Sequence, residues 1–281
     1  MRVLSLSHIE KNKNRLIEST LKKEDLLIAD SPTLYRKSIS ILRGFQSKSN
    51  GINIHFNNPV ITELAMSQGV FSELSGEDFN DFEKNKWLSM YNDSCELIDS
   101  ITPKLLDLIK SITTDILFVK STRVGGGTGS HLPGLICISP DERWDKIDLA
   151  QCLIHEATHL TTFLCDMVFK LYSKPSSELE ANEYRVLSAV RIGELRPLDK
   201  ALHSGLVAVP LMYFEDKLGR TALVSQFSES IKDCSKGLIE KKEYFTKYGN
   251  KVVEDFNYFC NTLDYDFVEN SLNWDDAYCL C

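Results

Sequence analysis

The sequence predicts an α+β fold: a single domain dominated by helices, with a small sheet beside one central helix. Three observations predict it. Leu149, Leu153, Leu160, Phe163, Leu164 and Met167 recur at three-and-four spacing within residues 145–171, a stretch that no Gly or Pro interrupts. Just upstream, Asp115 to Ser121 and the end of Leu132 to Ser139 are short apolar runs of strand character. On both sides lie amphipathic helical patterns without an evident linker, repeat or low-complexity segment.

In chain order, Ile9 to Leu27 and Leu34 to Phe45 have helical spacing with charged faces, and Asn57 to Leu74 is mixed around Gly69. Glu77 to Ile112 carries long helical patterns broken near Pro103. The period then changes at the first strand. A glycine-rich segment follows, Gly125-Gly126-Gly127-Thr128-Gly129-Ser130-His131. It lacks the Lys-Ser/Thr of a phosphate loop and the spacing of a dinucleotide fingerprint, which leaves a flexible connection between strands, or a lid or substrate-binding loop. Ser139-Pro140-Asp141 offers turn and cap chemistry before the central helix. Ser176 to Val190 reads as a second helix, and a third starts near Pro197. Leu218 to Phe267 reads as two or three more. The expected organisation is one domain over 1–281: a helical part at 1–112, a core at 113–215 and C-terminal helices at 216–281.

Composition narrows the function classes. Among 281 residues, 43% are hydrophobic, enough for a sizeable core. A net charge of −8 argues against a general nucleic-acid binder. No run of about 18 apolar residues occurs, so no membrane span is expected, and the first ten residues lack the apolar region of a secretory signal. The eight cysteines are scattered without a C-x-x-C pair, which suits free thiols in a reducing, cytoplasmic setting. Cys279-Leu280-Cys281 reads as an unstructured end.

The chemistry centres on His155-Glu156-Ala157-Thr158-His159, an H-E-x-x-H within the central helix. Residues four apart share a helix face, so two imidazoles can grip one metal ion, with Glu156 beside the open metal positions. Two buried imidazoles without such a partner would have to offset their own desolvation. Catalytic metal sites usually take three protein ligands. Glu178, Glu180 or Glu183 would complete a His-His-Glu zinc site, with Glu156 as general base of a metallopeptidase. His203 would complete a three-His site, and His131 is a candidate for lining the cleft.

Three blocks in order carry a resemblance: Ser130-His131-Leu132-Pro133-Gly134 with its strand, Leu153 to Leu160, and Arg191 with Arg196-Pro197 and Leu202-His203-Ser204-Gly205. Over roughly residues 115 to 215 the chain resembles the bacterial H-E-x-x-H peptide-modification proteins, some of which are assigned as α-ketoglutarate-dependent peptide β-hydroxylases. The resemblance implies a zincin-like core, Fe(II) held by His155, His159 and His203, and α-ketoglutarate and O2 as cosubstrates. It implies Arg191 or Arg196 as the cation for the far carboxylate of α-ketoglutarate, since Arg offers a bidentate fork. Glu156 would then orient a ligand. The implied partner is a ribosomally made precursor peptide. Two features depart from the family pattern: His203-Ser204-Gly205 stands where His-Gly is usual, and the Arg191–Arg196 spacing is stretched. In zinc-peptidase-like folds the strand just before the metal helix borders the cleft and can pair with an extended peptide.

Overall fold

The computed structural model describes residues 1–22, 29–47 and 51–273. Cys279 and Cys281 lie outside them. The fold is helix-dominated with a small mixed sheet, as the sequence predicts. It divides into two compact units, Glu10–Phe163 and Met1–Ile9 with Leu164–Cys281, and the boundary falls inside the central helix. That division cuts across the expected core at 113–215.

The first unit holds the sheet. Its helices are α1 (Leu6–Thr20, begun in the other unit), α2 (Ser31–Arg43), α3 (Pro59–Ser67), α4 (Asp81–Ile101), α5 (Pro103–Ile112) and most of α6 (Lys146–Phe169). Local chemistry fixes their ends. Asp30 accepts from Thr33 N at 3.0 Å to cap α2, and Gly44, at φ +78°, closes it in the left-handed conformation. Asn80 and Glu83 form a reciprocal capping box on α4. Pro103 breaks the long pattern as expected and opens α5. The cap of α6 is not Ser139 or Asp141. Asp145 accepts from Ile147 N at 2.7 Å and Asp148 N at 3.1 Å, while Asp148 accepts from Asp145 N at 2.9 Å.

Four strands lie in the order β1-β2-β4-β3: β1 (Asn53–Phe56), β2 (Asp115–Phe118), β3 (Gly125–Gly127) and β4 (Leu135–Ser139). β1, β2 and β4 run parallel, and β3 is antiparallel to β4 with Gly126 opposite Ile138. β2 and β4 are buried throughout, which explains their continuous apolar character. Two expectations change here. The glycine-rich segment is not simply a connection between strands: its first three residues form an edge strand. The strand just before the metal helix, β4, is interior and already paired on both sides, so it has no free edge to offer a peptide.

On one sheet face Leu117, Val119, Leu135 and Cys137 pack with Ile61 and Ala65 of α3 and with Phe71. α2 is fastened to the sheet by a buried ion cluster. Arg43 Nη2 lies 2.6 Å from Asp115 Oδ2, both side chains fully buried. Arg43 also donates to Thr114 Oγ1 and to the carbonyls of Pro133 and Phe45. Asp115 further accepts from His55 Nε2 at 2.8 Å and Ser47 Oγ at 2.6 Å. Burial alone would raise the Asp115 pKa, but the His55 hydrogen bond, the Arg43 charge and Ser47 hold it well below the usual carboxylate range.

The second unit holds α7 (Ser176–Leu179), a hairpin of β5 (Val186–Leu187) and β6 (Leu195–Arg196), α8 (Leu198–Lys217), α9 (Ala222–Glu240), α10 (Lys247–Thr262) and α11 (Tyr265–Leu272). The helix expected over 176–190 is therefore a single turn, a short 3-10 turn at Asn182–Tyr184 and a strand. Ser176 does not cap it; its hydroxyl donates to Asp199 Oδ2 at 2.6 Å. α8 is buried from Leu198 to Glu215 except at Lys200. Gly205 on it has no room for a side chain, because a Cβ would fall 2.4 Å from the Phe256 ring of α10.

Candidate metal centre

His155 and His159 project from one face of α6 with their Nε2 atoms 3.1 Å apart. If both bound one ion at the usual 2.0–2.1 Å, that separation would subtend about 95–100° at the metal, between the octahedral and tetrahedral ideals. The distance is one that two ligands of a shared ion can have. Without a metal, the same distance is a His–His hydrogen bond, in which one ring donates and the other accepts. Burial pushes the His155 pKa down to about 4, so at neutral pH its ring is uncharged, the form a metal requires. Its side chain keeps 30% of its surface open to solvent.

Part of the helix is buried behind this pair, although Met167, counted in the apolar spacing, is exposed. Leu149, Leu153, Leu160 and Leu164 are core residues, and Ala150 and Ala157 are fully buried. The three buried threonines satisfy their hydroxyls on the helix itself: Thr158 on Ile154 O at 2.7 Å, and Thr161 and Thr162 on Thr158 O at 2.9 and 2.8 Å.

Glu156 turns toward β3. Its Oε1 is 3.8 Å from His155 Nε2, and Oε2 is buried without a hydrogen-bond partner. Burial raises its pKa to about 8, against a hydrogen bond from Thr128 and the charge of Arg123. The carboxyl is thus largely neutral at pH 7, and a cation beside it would pull the value down. A buried carboxyl with one orphaned oxygen, its other oxygen 3.8 Å from His155, is a group that a cation beside it would satisfy.

The other candidates divide between the units. His131 is exposed just before β4. His203 lies on α8 in the second unit, buried, with its pKa pushed down to about 3 by burial and then by the charges of Lys200 and Arg196, against Asp199. Its ring is therefore neutral as well. Arg196, on β6, stands near enough to His203 for its charge to be felt there. Arg191 lies in the hairpin turn, exposed, with Nη1 3.4 Å from Glu194 Oε2. Glu178, Glu180 and Glu183 are all exposed, and Glu178 pairs with Lys174 at 2.9 Å. Among the described residues no group of three or more His, Cys, Asp or Glu side chains is gathered so as to hold a metal.

Sequence reasoning missed the seat of Glu156, formed by Gly126 and Thr128 on and just after β3. Only the run of glycines signalled it. No family model and no curated protein matches the chain.

Proposed function

We propose that the chain is a non-haem Fe(II)/α-ketoglutarate-dependent hydroxylase that oxidises a side-chain β-carbon of a ribosomally made peptide. The observation that carries this reading is the convergence of His155 and His159 Nε2 at 3.1 Å. The three blocks of family resemblance supply the choice of chemistry. His203 is the third ligand in this reading, supported by its burial and neutral ring. Bound Fe(II) would supply the redox chemistry that couples consumption of O2 and α-ketoglutarate to delivery of one oxygen atom to the peptide.

The chain's own residues do the rest. Arg196 takes the far carboxylate of α-ketoglutarate. It is preferred to Arg191, which is exposed, because Arg196 is less exposed and its charge reaches His203. Glu156 orients His155 and the open side of the ion. β3 offers its free edge to the extended peptide, whose backbone pairs there whatever its side chains. An antiparallel edge strand laid against the H-E-x-x-H helix at Gly126 supports a zincin-like core. A cytoplasmic setting belongs to the same reading. Cys95, Cys137, Cys152, Cys165, Cys234 and Cys260 are free thiols, and no described helix is long and apolar enough to cross a membrane.

The test is anaerobic reconstitution with Fe(II), α-ketoglutarate and candidate precursor peptides, followed by O2. The expected outcome is succinate and a peptide heavier by one oxygen atom, both lost in His159→Ala. No succinate under any of these conditions refutes the assignment.

A second reading, a zinc metallopeptidase with Glu156 as general base, is favoured by the unpartnered Oε2 beside His155. Its acidic third ligand would have to come from Glu178, Glu180 or Glu183, and their exposure weighs against it. Peptide cleavage by the zinc-loaded protein, abolished in Glu156→Gln, would establish it.

A further inference from the structure

Gly126 faces α6 from β3. A Cβ at this position would lie 2.5 Å from Glu156 Oε1, 2.6 Å from Glu156 Cγ and 2.8 Å from Cys152 Sγ, all far inside contact distance. The backbone there is not left-handed, so the requirement for glycine is one of space. Gly125 is the converse: its φ is +132°, and a Cβ would meet nothing within 4 Å. Two residues beyond Gly126, Thr128 is the side chain near enough to the Glu156 carboxyl to hold its pKa down against burial. The carboxyl is thus pressed against a bare strand, with Thr128 as its polar neighbour, and set with Oε1 3.8 Å from His155 Nε2.

We propose that Gly126 and Thr128 are positioning residues: the missing side chain and the hydroxyl together set where the Glu156 carboxyl stands beside His155, and they act on the reaction only through it. The proposal rests on the metal reading above. Gly126 leaves the space and Thr128 selects the place within it, so the two substitutions disturb Glu156 by different routes and must converge on one effect.

Co(II) is the probe, added to the full-length protein, and its visible ligand-field band is the readout alongside turnover. The variants are Gly126→Ala, Thr128→Val, Thr128→Ser and Glu156→Ala, with Gly126→Ala and Thr128→Val repeated in the Glu156→Ala background. Gly129→Ala is the control, since a Cβ there meets only Val70 Cγ2 at an ordinary 3.6 Å. Thr128→Val and Gly126→Ala are expected to shift the band in the direction Glu156→Ala does and to lower turnover several-fold. Thr128→Ser restores both, and Gly129→Ala matches the parent. In the Glu156→Ala background neither substitution adds anything. Should Gly126→Ala fail to fold, the Thr128 pair decides alone. A parent-like band and turnover in Thr128→Val overturns the proposal, as do shifts that persist undiminished without Glu156. A parent protein that binds Co(II) without any band removes the metal reading and this proposal with it, whereas a normal band with silent variants removes only the positioning role.

Discussion

Replacing Arg43 by Met tests the buried ion cluster that joins α2 to the sheet. Met keeps an unbranched apolar stem but removes the charge that faces Asp115 at 2.6 Å. Both side chains are fully buried, so the substitution strands a carboxylate that only neutral donors and His55 still serve. Breaking one side of such a pair costs about 3–5 kcal/mol. At roughly 2–4 °C per kcal/mol for a domain of this size, the melting temperature should fall by about 10 °C. The loss has a pH signature. Asp115 has a folded pKa below its unfolded value, so it contributes stability above about pH 4 and loses it as the pH falls further. Arg43→Met raises the folded value toward the unfolded one and so removes part of that contribution. The gap between parent and variant should narrow by about 1 kcal/mol between pH 5 and pH 3. Thermal melts followed by circular dichroism at pH 7, 5 and 3 give both quantities. A variant that melts within a degree of the parent at pH 7, or a gap unchanged at pH 3, refutes the argument.

Losing an outer-sphere partner of a ligand costs tenfold to a hundredfold in metal affinity, so His159→Ala, which removes a ligand, should lose more than about a hundredfold; titration calorimetry with Fe(II) or Co(II) measures it. Arg196→Ala should raise the KM for α-ketoglutarate about 10- to 100-fold, the worth of a charge-assisted hydrogen bond, while Arg191→Ala changes it little; a reversed order would move the role to Arg191. Gly249→Ala would place a Cβ 2.0 Å from Leu171 O and should destabilise the second unit by about 3 kcal/mol, seen as a lower urea midpoint.

The parts that sequence made legible are those with a local rule behind them. α6 announced itself by apolar spacing, and α5 by Pro103. Free thiols were legible from the absence of cysteine pairing. β1 was not legible: Asn53-Ile54-His55-Phe56 is four half-buried residues with no alternation, and it becomes a strand only by pairing with β2, some sixty residues away. Residues 176–190 show the opposite error. Ser176-Ser177-Glu178-Leu179-Glu180-Ala181 has helical propensity, yet Val186 and Leu187 are claimed by Leu195 and Arg196 across a hairpin. β3 escaped because glycines have no side chains to show a period. The His155–His159 pair was visible in the motif; the fit of Glu156 against Gly126 was not, because that contact consists of a side chain that is missing.

On the proposed reading, in which a peptide pairs with β3, the glycines on the rim of the sheet also bear on selectivity. A rim of bare amides gives a visiting chain nothing to be told apart by, since each backbone carries the same donors and acceptors. Discrimination between peptides must therefore be exercised elsewhere, by a tether at a distance or by what fits over the metal. Replacing those glycines would change more than the grip: a side chain on that edge is something for a peptide to be read by, and at Gly126 it would also strike Glu156.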